Sequence, residues 1–296
     1  MASLVALVQG QWGRWWIAPF LPAIYALALV PAGMLRPEHV AIACATLVLG
    51  LWPRTQGLVA ALYPGIIVAI ASDAIRFVVP LVVTAERVHG CDLRALDLAL
   101  FAVGPDTTPG DWLQRHISPF WDVVFAIPYA AFLYVVPLYA VYLFVRDRAR
   151  MSFYLWAFAV AHLIGFAMWL IVPAAPPWYI RAHGCVIDLA AAPSAAGLLR
   201  VDQLLGTTYF QQFYGRSANV FGAMPSLHVV FPLIGLLTAW RSIGWRTRPI
   251  HILYASSMMV ASVYLDHHWI VDGLAGVVVA VVAVAITARM LKRPWP

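Results

Sequence analysis

Apolar residues in this chain fall in long unbroken stretches rather than alternating with polar ones, and eight of these stretches are apolar enough to predict membrane helices. A bilayer core about 30 Å thick needs roughly 20 apolar residues as helix. The stretches are Trp15–Met34, Val40–Trp52, Leu58–Val83, Val123–Val145, Ser152–Val172, Leu227–Trp240, Ile250–Leu265 and Trp269–Met290. The second and sixth are short, so they are either re-entrant or extended by their neighbours. No short-period repeat is evident, and no polar or Pro/Ser-rich linker divides the chain. The pattern therefore predicts an all-α fold, a polytopic membrane helix bundle of about eight transmembrane helices.

Polar positions between the stretches set the orientation. Arg146, Arg148 and Arg150 cluster in one connection, Arg241, Arg246 and Arg248 in another, and Arg289, Lys292 and Arg293 at the end. With eight helices these clusters, together with Arg14 and Arg54, share one side, which is expected to be cytoplasmic, as are both termini. The opposite, extracytoplasmic side receives two long loops, Thr84–Asp122 and Pro173–Ser226, and the short turn Asp266–His268.

Composition supports the membrane reading. The 296 residues are 63% hydrophobic and 11% charged, against about half and a quarter in soluble domains. A net charge of +6 would suit nucleic acid only on a clustered soluble face. Here the basic residues lie between apolar stretches, so no nucleic-acid partner is expected. Met1–Gly10 lacks a basic leader and a cleavage site, so no removable signal peptide is expected. Cys44, Cys91 and Cys185 form no metal-ligand spacing. Cys91 and Cys185 fall in the two loops of one side, where a disulfide can form in an oxidising compartment.

Two polar constellations interrupt the apolar pattern near that side. In His268-Trp269-Ile270-Val271-Asp272, a His and an Asp at i and i+4 lie on one face of a helix. A carboxylate one turn away can accept the imidazole N–H and raise the basicity of the other nitrogen, which suits a histidine nucleophile. A structural His–Asp pair or a metal site is the alternative reading. In Pro225-Ser226-Leu227-His228, Pro and Ser suit a capped helix start, and such ends bind phosphate. His228 there could donate a proton to a leaving oxygen. Alone, this tetrapeptide also fits an ordinary capped helix.

Taken together, Phe221-Gly222-Ala223-Met224-Pro225-Ser226-Leu227-His228 and Asp266-His267-His268-Trp269-Ile270-Val271-Asp272 resemble the type 2 phosphatidic acid phosphatase superfamily, in its inositolphosphotransferase branch. Ala175-Pro176-Pro177-Trp178-Tyr179 resembles a further element of that branch, and the loop from Asp92-Leu93 to Asp122 is similar too. The resemblance covers roughly Leu58–Met290. It implies a six-helix core, with residues 1–57 as added N-terminal transmembrane helices and residues 58–296 as the catalytic membrane domain. It implies that His268 attacks phosphorus, that Asp272 orients His268, and that His228 protonates the leaving group and then deprotonates the acceptor. It implies no metal or organic cofactor. Its partners would be a phospholipid donor, a lipid or polyol acceptor, and the bilayer.

The chain departs from the phosphatase pattern. Leu227 replaces a Gly, Ala261-Ser262 stands where a Ser-Arg pair is expected, and no Lys-x6-Arg-Pro signature occurs. The phosphate clamp must then come from elsewhere, because developing charge needs electrostatic stabilisation. Arg216 is the first candidate and Arg181 the second, with Ser226 and Tyr179 as further substrate contacts. Arg76, inside an apolar stretch with Asp73, is either a ligand contact or a buried pair. Arg200 reads as a solvated loop residue and His162 as a satisfied helix group. His267 beside His268 suggests a metal, but no third ligand can be named. Gly273 and Gly276 suit close helix packing.

Three functions follow from these residues. The first is a lipid phosphotransferase that moves a phosphorylated head group, such as phosphoinositol, through phospho-His268. The second is a lipid phosphate phosphatase using the same residues. The third is a transporter with a His/Asp proton relay, which would distribute polar residues through several helices rather than gather them at one face.

Overall fold

A computed structural model describes residues 10–294. Residues 1–9, on which the signal-peptide expectation rests, lie outside the described residues. The fold is all helical; among the described residues the only β features are isolated bridges. Contacts divide the chain into two compact units, residues up to Ala71 and residues from Ser72.

The first unit is less regular than its apolar pattern suggests. The stretch Trp15–Met34 holds two 3-10 turns, Gly13–Trp15 and Ala18–Phe20, then α1, Leu21–Leu29. At 1.5 Å per residue, α1 spans about 14 Å, half a bilayer core. Prolines set its start: Pro19 and Pro22 lack the N–H that a continuing helix would use. Gly33, at φ +64°, ends it, with Met34 N–H donating to the Leu29 carbonyl at 3.1 Å. α2, Pro37–Leu51, packs against α1. The Trp12 indole donates to the Gly50 carbonyl at 2.9 Å. α3, Gln56–Val82, is long and apolar enough to cross a membrane.

The second unit contains the remaining long helices. These are α6, Pro119–Arg146, α7, Arg148–Ile171, α11, Leu227–Ala239, α12, Arg248–Tyr264, and α13, Ile270–Met290. Among the described residues, three helices are long and apolar enough to span, or four if α6, bent by 48°, counts as one. The bend falls near position 133 and Pro137 explains it: a proline cannot donate to the carbonyl four residues back, and its ring crowds that carbonyl. α11, at 13 residues, remains short, as its apolar run predicts. It packs between α12, α13 and α7.

The two long loops are not open coil. They form α4, Cys91–Phe101, α5, Pro109–Gln114, α8, Pro177–His183, α9, Leu198–Leu205, and α10, Tyr209–Tyr214. Each is too short to stand out from an apolar-run search. Packing holds them: Ala174, Ala175, Tyr179, Ile180, Phe221 and Trp269 form a buried cluster with Leu93. Cys91 and Cys185 are joined by a disulfide, with Cα atoms 5.6 Å apart, across 94 residues of chain.

The basic clusters lie at the far ends of the same helices. Arg146 closes α6, Arg148 opens α7, and Arg289 lies in the last turn of α13. Arg293 donates to the Ala149 carbonyl at 3.1 Å, joining two of the predicted clusters.

Candidate active site

The site forms where the starts of α11 and α13 meet. Ser226 caps α11: its side chain accepts the Val229 N–H at 3.4 Å, and its own N–H donates to the Asp272 carbonyl at 3.0 Å. Ser226 is fully buried, so its hydroxyl acts as a cap rather than a surface contact. His228 follows in the first turn. On the other side, Asp266 at φ +65° turns the chain out of α12, and the His267 and His268 N–H groups both donate to the Ser262 carbonyl. α13 begins after Trp269.

This brings the two histidines together. His228 Nδ1 lies 3.1 Å from His268 Nε2. His268 Nδ1 lies 2.9 Å from the Ala223 carbonyl oxygen. A carbonyl only accepts, so Nδ1 carries the proton and Nε2 presents its lone pair toward His228. The family resemblance assigns this orienting role to Asp272. The carboxylate lies 3.7 Å from the same nitrogen, close enough to act through charge but beyond a hydrogen bond. Its Oδ2 instead accepts the Trp269 N–H at 2.9 Å, capping α13, and Oδ1 is buried without a hydrogen-bond partner.

The Ala223 carbonyl is itself held in place. Ala223 N–H donates to the Ala174 carbonyl at 3.1 Å, and Ala174 N–H to Phe221 at 2.8 Å. The Trp269 indole donates to the Ala175 carbonyl at 3.0 Å, and Trp178 N–H to the Asp266 carbonyl at 3.1 Å. The Ala175–Tyr179 element thus braces both halves of the site. Tyr179 is completely buried and its hydroxyl accepts the Asp188 N–H at 2.6 Å, so it is occupied within this scaffold.

The predicted cations divide. Arg181 stands beside the site: Nε donates to both Asp266 oxygens at 2.9 and 3.0 Å, and Nη1 to Asp111 at 2.5 Å. Burial pushes Asp266 up to about 6 despite Arg181. Burial also raises Asp111, but the Thr108 N–H and Arg181 outweigh it and hold that carboxyl below its ordinary value. Arg216 is exposed and lines an open cavity of about 610 Å³ with Thr208, Gln211 and Gln212. Arg76 is bound to Asp73 at 2.5 Å within α3, the paired alternative. Arg200 is not a solvated loop residue: it lies on α9, with Nε donating to the buried Asp122 at 2.9 Å, because the packed loop brings α9 against α6. His162 rests on the Phe158 carbonyl at 2.7 Å. His267 is buried, its Nε2 3.1 Å from the Ala195 carbonyl, and burial with the adjacent His268 pushes it down to about 3. Among the described residues no group of three His, Cys, Asp or Glu side chains could hold a metal.

Sequence reasoning missed several contributors. Asp97 on α4 is buried and accepts the Ile270 and Val271 N–H groups at 3.2 and 3.1 Å, capping α13 from 173 residues away. Tyr214 and Tyr129 flank His228. None stands in a local pattern. Asp266, by contrast, opens the second motif and was within reach of the sequence.

A model described as the PAP2 superfamily matches residues 94–286. The chain belongs to the PAP2 superfamily. It is 34% identical over 265 residues to the phosphoinositol dihydroceramide synthase of Bacteroides thetaiotaomicron, covering 86% of this chain and 85% of that protein. It is 30% identical over 171 residues to the inositol phosphorylceramide synthase of Candida albicans, 56% of this chain and 36% of that one. It is 32% identical over 177 residues to the inositol phosphorylceramide synthase catalytic subunit of Saccharomyces cerevisiae, 58% of this chain and 43% of that one. The chain therefore spans less than half the length of these fungal relatives. No solved structure matches it significantly. This PAP2 protein is an integral membrane enzyme of the superfamily's phosphotransferase and phosphatase kind, and it falls with the inositolphosphotransferase branch.

Proposed function

We propose that this PAP2 enzyme transfers phosphoinositol from a phospholipid donor to the hydroxyl of a lipid acceptor of the ceramide class through a phosphohistidine on His268. The relatives' activities point to the donor and acceptor. The observation that carries the mechanism is the pair of histidines: His268, with Nδ1 on a fixed carbonyl, aims Nε2 at the space beside His228 Nδ1. In the first half-reaction His268 Nε2 attacks phosphorus, a P–N bond forms, and the P–O bond to the donor's glycerol breaks. The His228 Nδ1 proton passes to the departing oxygen. In the second, His228 Nδ1 takes the proton from the acceptor hydroxyl, whose oxygen attacks phosphorus as the P–N bond breaks. Asp272 stabilises the positive charge that His268 gains. Arg181, tied to Asp266 two residues before His268, is the clamp for the phosphoryl oxygens. Residues 58–296 carry the chemistry and residues 1–57 are added membrane helices. The site faces the extracytoplasmic side, with the basic helix ends and both termini cytoplasmic.

The test uses purified enzyme with phosphatidylinositol, with and without ceramide or diacylglycerol, and products identified by mass spectrometry. Acceptor-dependent inositol phosphorylceramide supports transfer; free inositol phosphate alone replaces it with hydrolysis. His268→Ala is expected to abolish turnover and labelling from a phosphate-labelled donor, and normal turnover in that variant overturns the mechanism.

A further inference from the structure

We propose that Tyr214 is a positioning residue for His228, holding its Nε2 through both protonation states so that Nδ1 alone moves the proton. This rests on the reading of His228 as the acid and base of the transfer. The Tyr214 hydroxyl lies 3.2 Å from His228 Nε2. The imidazole cannot turn away from it. Tyr129 stacks on one face with ring centres 4.4 Å apart and planes within 17°, and Phe132 stands edge-on at 5.2 Å and 80°. Both nitrogens therefore have fixed directions, Nδ1 toward His268 and Nε2 toward Tyr214.

A hydroxyl is the one kind of partner that serves the resting form as well as both steps, because it donates and accepts. When His228 is neutral with its proton on Nδ1, the Tyr214 O–H donates to Nε2. When His228 is the charged acid, or neutral with its proton on Nε2, the same oxygen accepts the Nε2–H. A carboxylate or carbonyl at this place would hold only the Nε2–H forms, and an ammonium only the form with a bare Nε2. Burial pushes the Tyr214 phenol above its ordinary value, so it keeps its proton throughout.

Tyr214 reaches His228 because of how α10 is anchored. The buried Asp202 on α9 accepts the Phe210 N–H at 3.2 Å, the Gln211 N–H at 2.8 Å and the Thr207 hydroxyl at 2.9 Å. α9 ends at Gly206, φ +64°, which turns the chain back into α10. Tyr214 also packs against His267, ring centres 4.8 Å apart. The titratable groups around His228 are Tyr129 from α6, Tyr214 from α10, and His267 and His268 from the turn, with Asp272 behind His268.

The test is Tyr214→Phe in the full-length enzyme, with His228→Ala alongside. Phe keeps the ring packing and removes only the hydroxyl. We expect kcat to fall about tenfold or more with KM little changed, since a general acid–base contribution is about 10²–10⁴-fold and Phe impairs rather than removes it. The alkaline limb of the kcat–pH profile is expected to move to lower pH, because the charged imidazole loses its acceptor. A wild-type kcat with an unmoved limb overturns the inference, and a fallen kcat with an unmoved limb shows that the hydroxyl does not hold the charged imidazole and overturns it too. In both of those cases an inactive His228→Ala leaves the phosphotransfer reading standing. An active His228→Ala overturns that reading, and this inference with it.

Discussion

Two glycines one turn apart on α13 offer a sharp test of how the histidines are held in register. A Cβ on Gly276 would come within 2.6 Å of the Ser226 carbonyl oxygen and 3.5 Å of Val229 Cβ. The oxygen belongs to the cap of α11, whose N–H is bound to Asp272 on the same face of α13. An ordinary carbon–oxygen contact is about 3.4 Å, so Gly276→Ala must push the start of α11 away by about 0.8 Å, the difference from 2.6 Å. His228 lies two residues beyond that cap, and its Nδ1 must stay 3.1 Å from His268 Nε2. A displacement near 1 Å costs on the order of 10²-fold in rate, so kcat is expected to fall about 10- to 100-fold. Overpacking should lower stability by about 1–3 kcal/mol without unfolding the bundle. Gly273→Ala is the control. Its Cβ would meet the Met259 Sδ and Cε, the free end of a flexible side chain that can swing aside. The assay is kcat for lipid product formation in detergent, with thermal unfolding measured beside it. Wild-type kcat in Gly276→Ala, or equal losses in both variants, would refute the argument that this backbone contact sets the distance between the histidines.

Four further outcomes are expected. Asp97→Ala should cost about 1–3 kcal/mol in thermal unfolding, because two N–H groups at the start of α13, one of them buried, lose their acceptor; Asp97→Asn should cost less. Cys91→Ser, or assay under strong reductant, should lower stability by up to about 4–5 kcal/mol, the chain-entropy value for a loop of this length, with the loss absent in reduced wild type compared with reduced mutant. Asp266 holds its proton up to about pH 6 in the fold, against about 3.9 unfolded, so stability should decline as pH rises through that window. Over the same window acidification frees Arg181 from one carboxylate, so KM for an anionic donor should fall as pH drops through about 6, and Asp266→Asn should give the lower KM at neutral pH.

The membrane bundle and the three central residues were legible because both are local patterns. Long apolar runs mark helices wherever they occur, and His228, His268 and Asp272 each sit in a short motif. What was hidden depended on contacts distant in sequence. Asp97 caps a helix 173 residues on, and Arg181 is tied to Asp266 across 85 residues. Tyr214 lies in a six-residue helix whose anchor, Asp202, is twelve residues earlier. The apolar run Trp15–Met34 misled in the other direction, since hydropathy counts Pro19 and Pro22 as acceptable while backbone hydrogen bonding does not.

Asp272 shows how a correct spacing can carry a wrong geometry. The i, i+4 argument holds only if both residues stand on one helix. α13 starts at Ile270, so His268 lies in the turn before it and its side chain is free of the helical ladder. Asp272 falls at the third position of α13, where a carboxylate is expected to reach back to the N-terminus, and it does so, accepting the Trp269 N–H. The imidazole proton then needs another acceptor, and the Ala223 carbonyl, fixed by Ala174, takes it. His268 is oriented by a neutral group, with the Asp272 carboxyl 3.7 Å away. Asp272→Asn should therefore leave the imidazole's direction nearly unchanged while removing the charge that would stabilise the cationic phosphohistidine proposed above. A large loss of kcat with the fold intact fits that division, and a wild-type kcat would assign the whole task to the carbonyl.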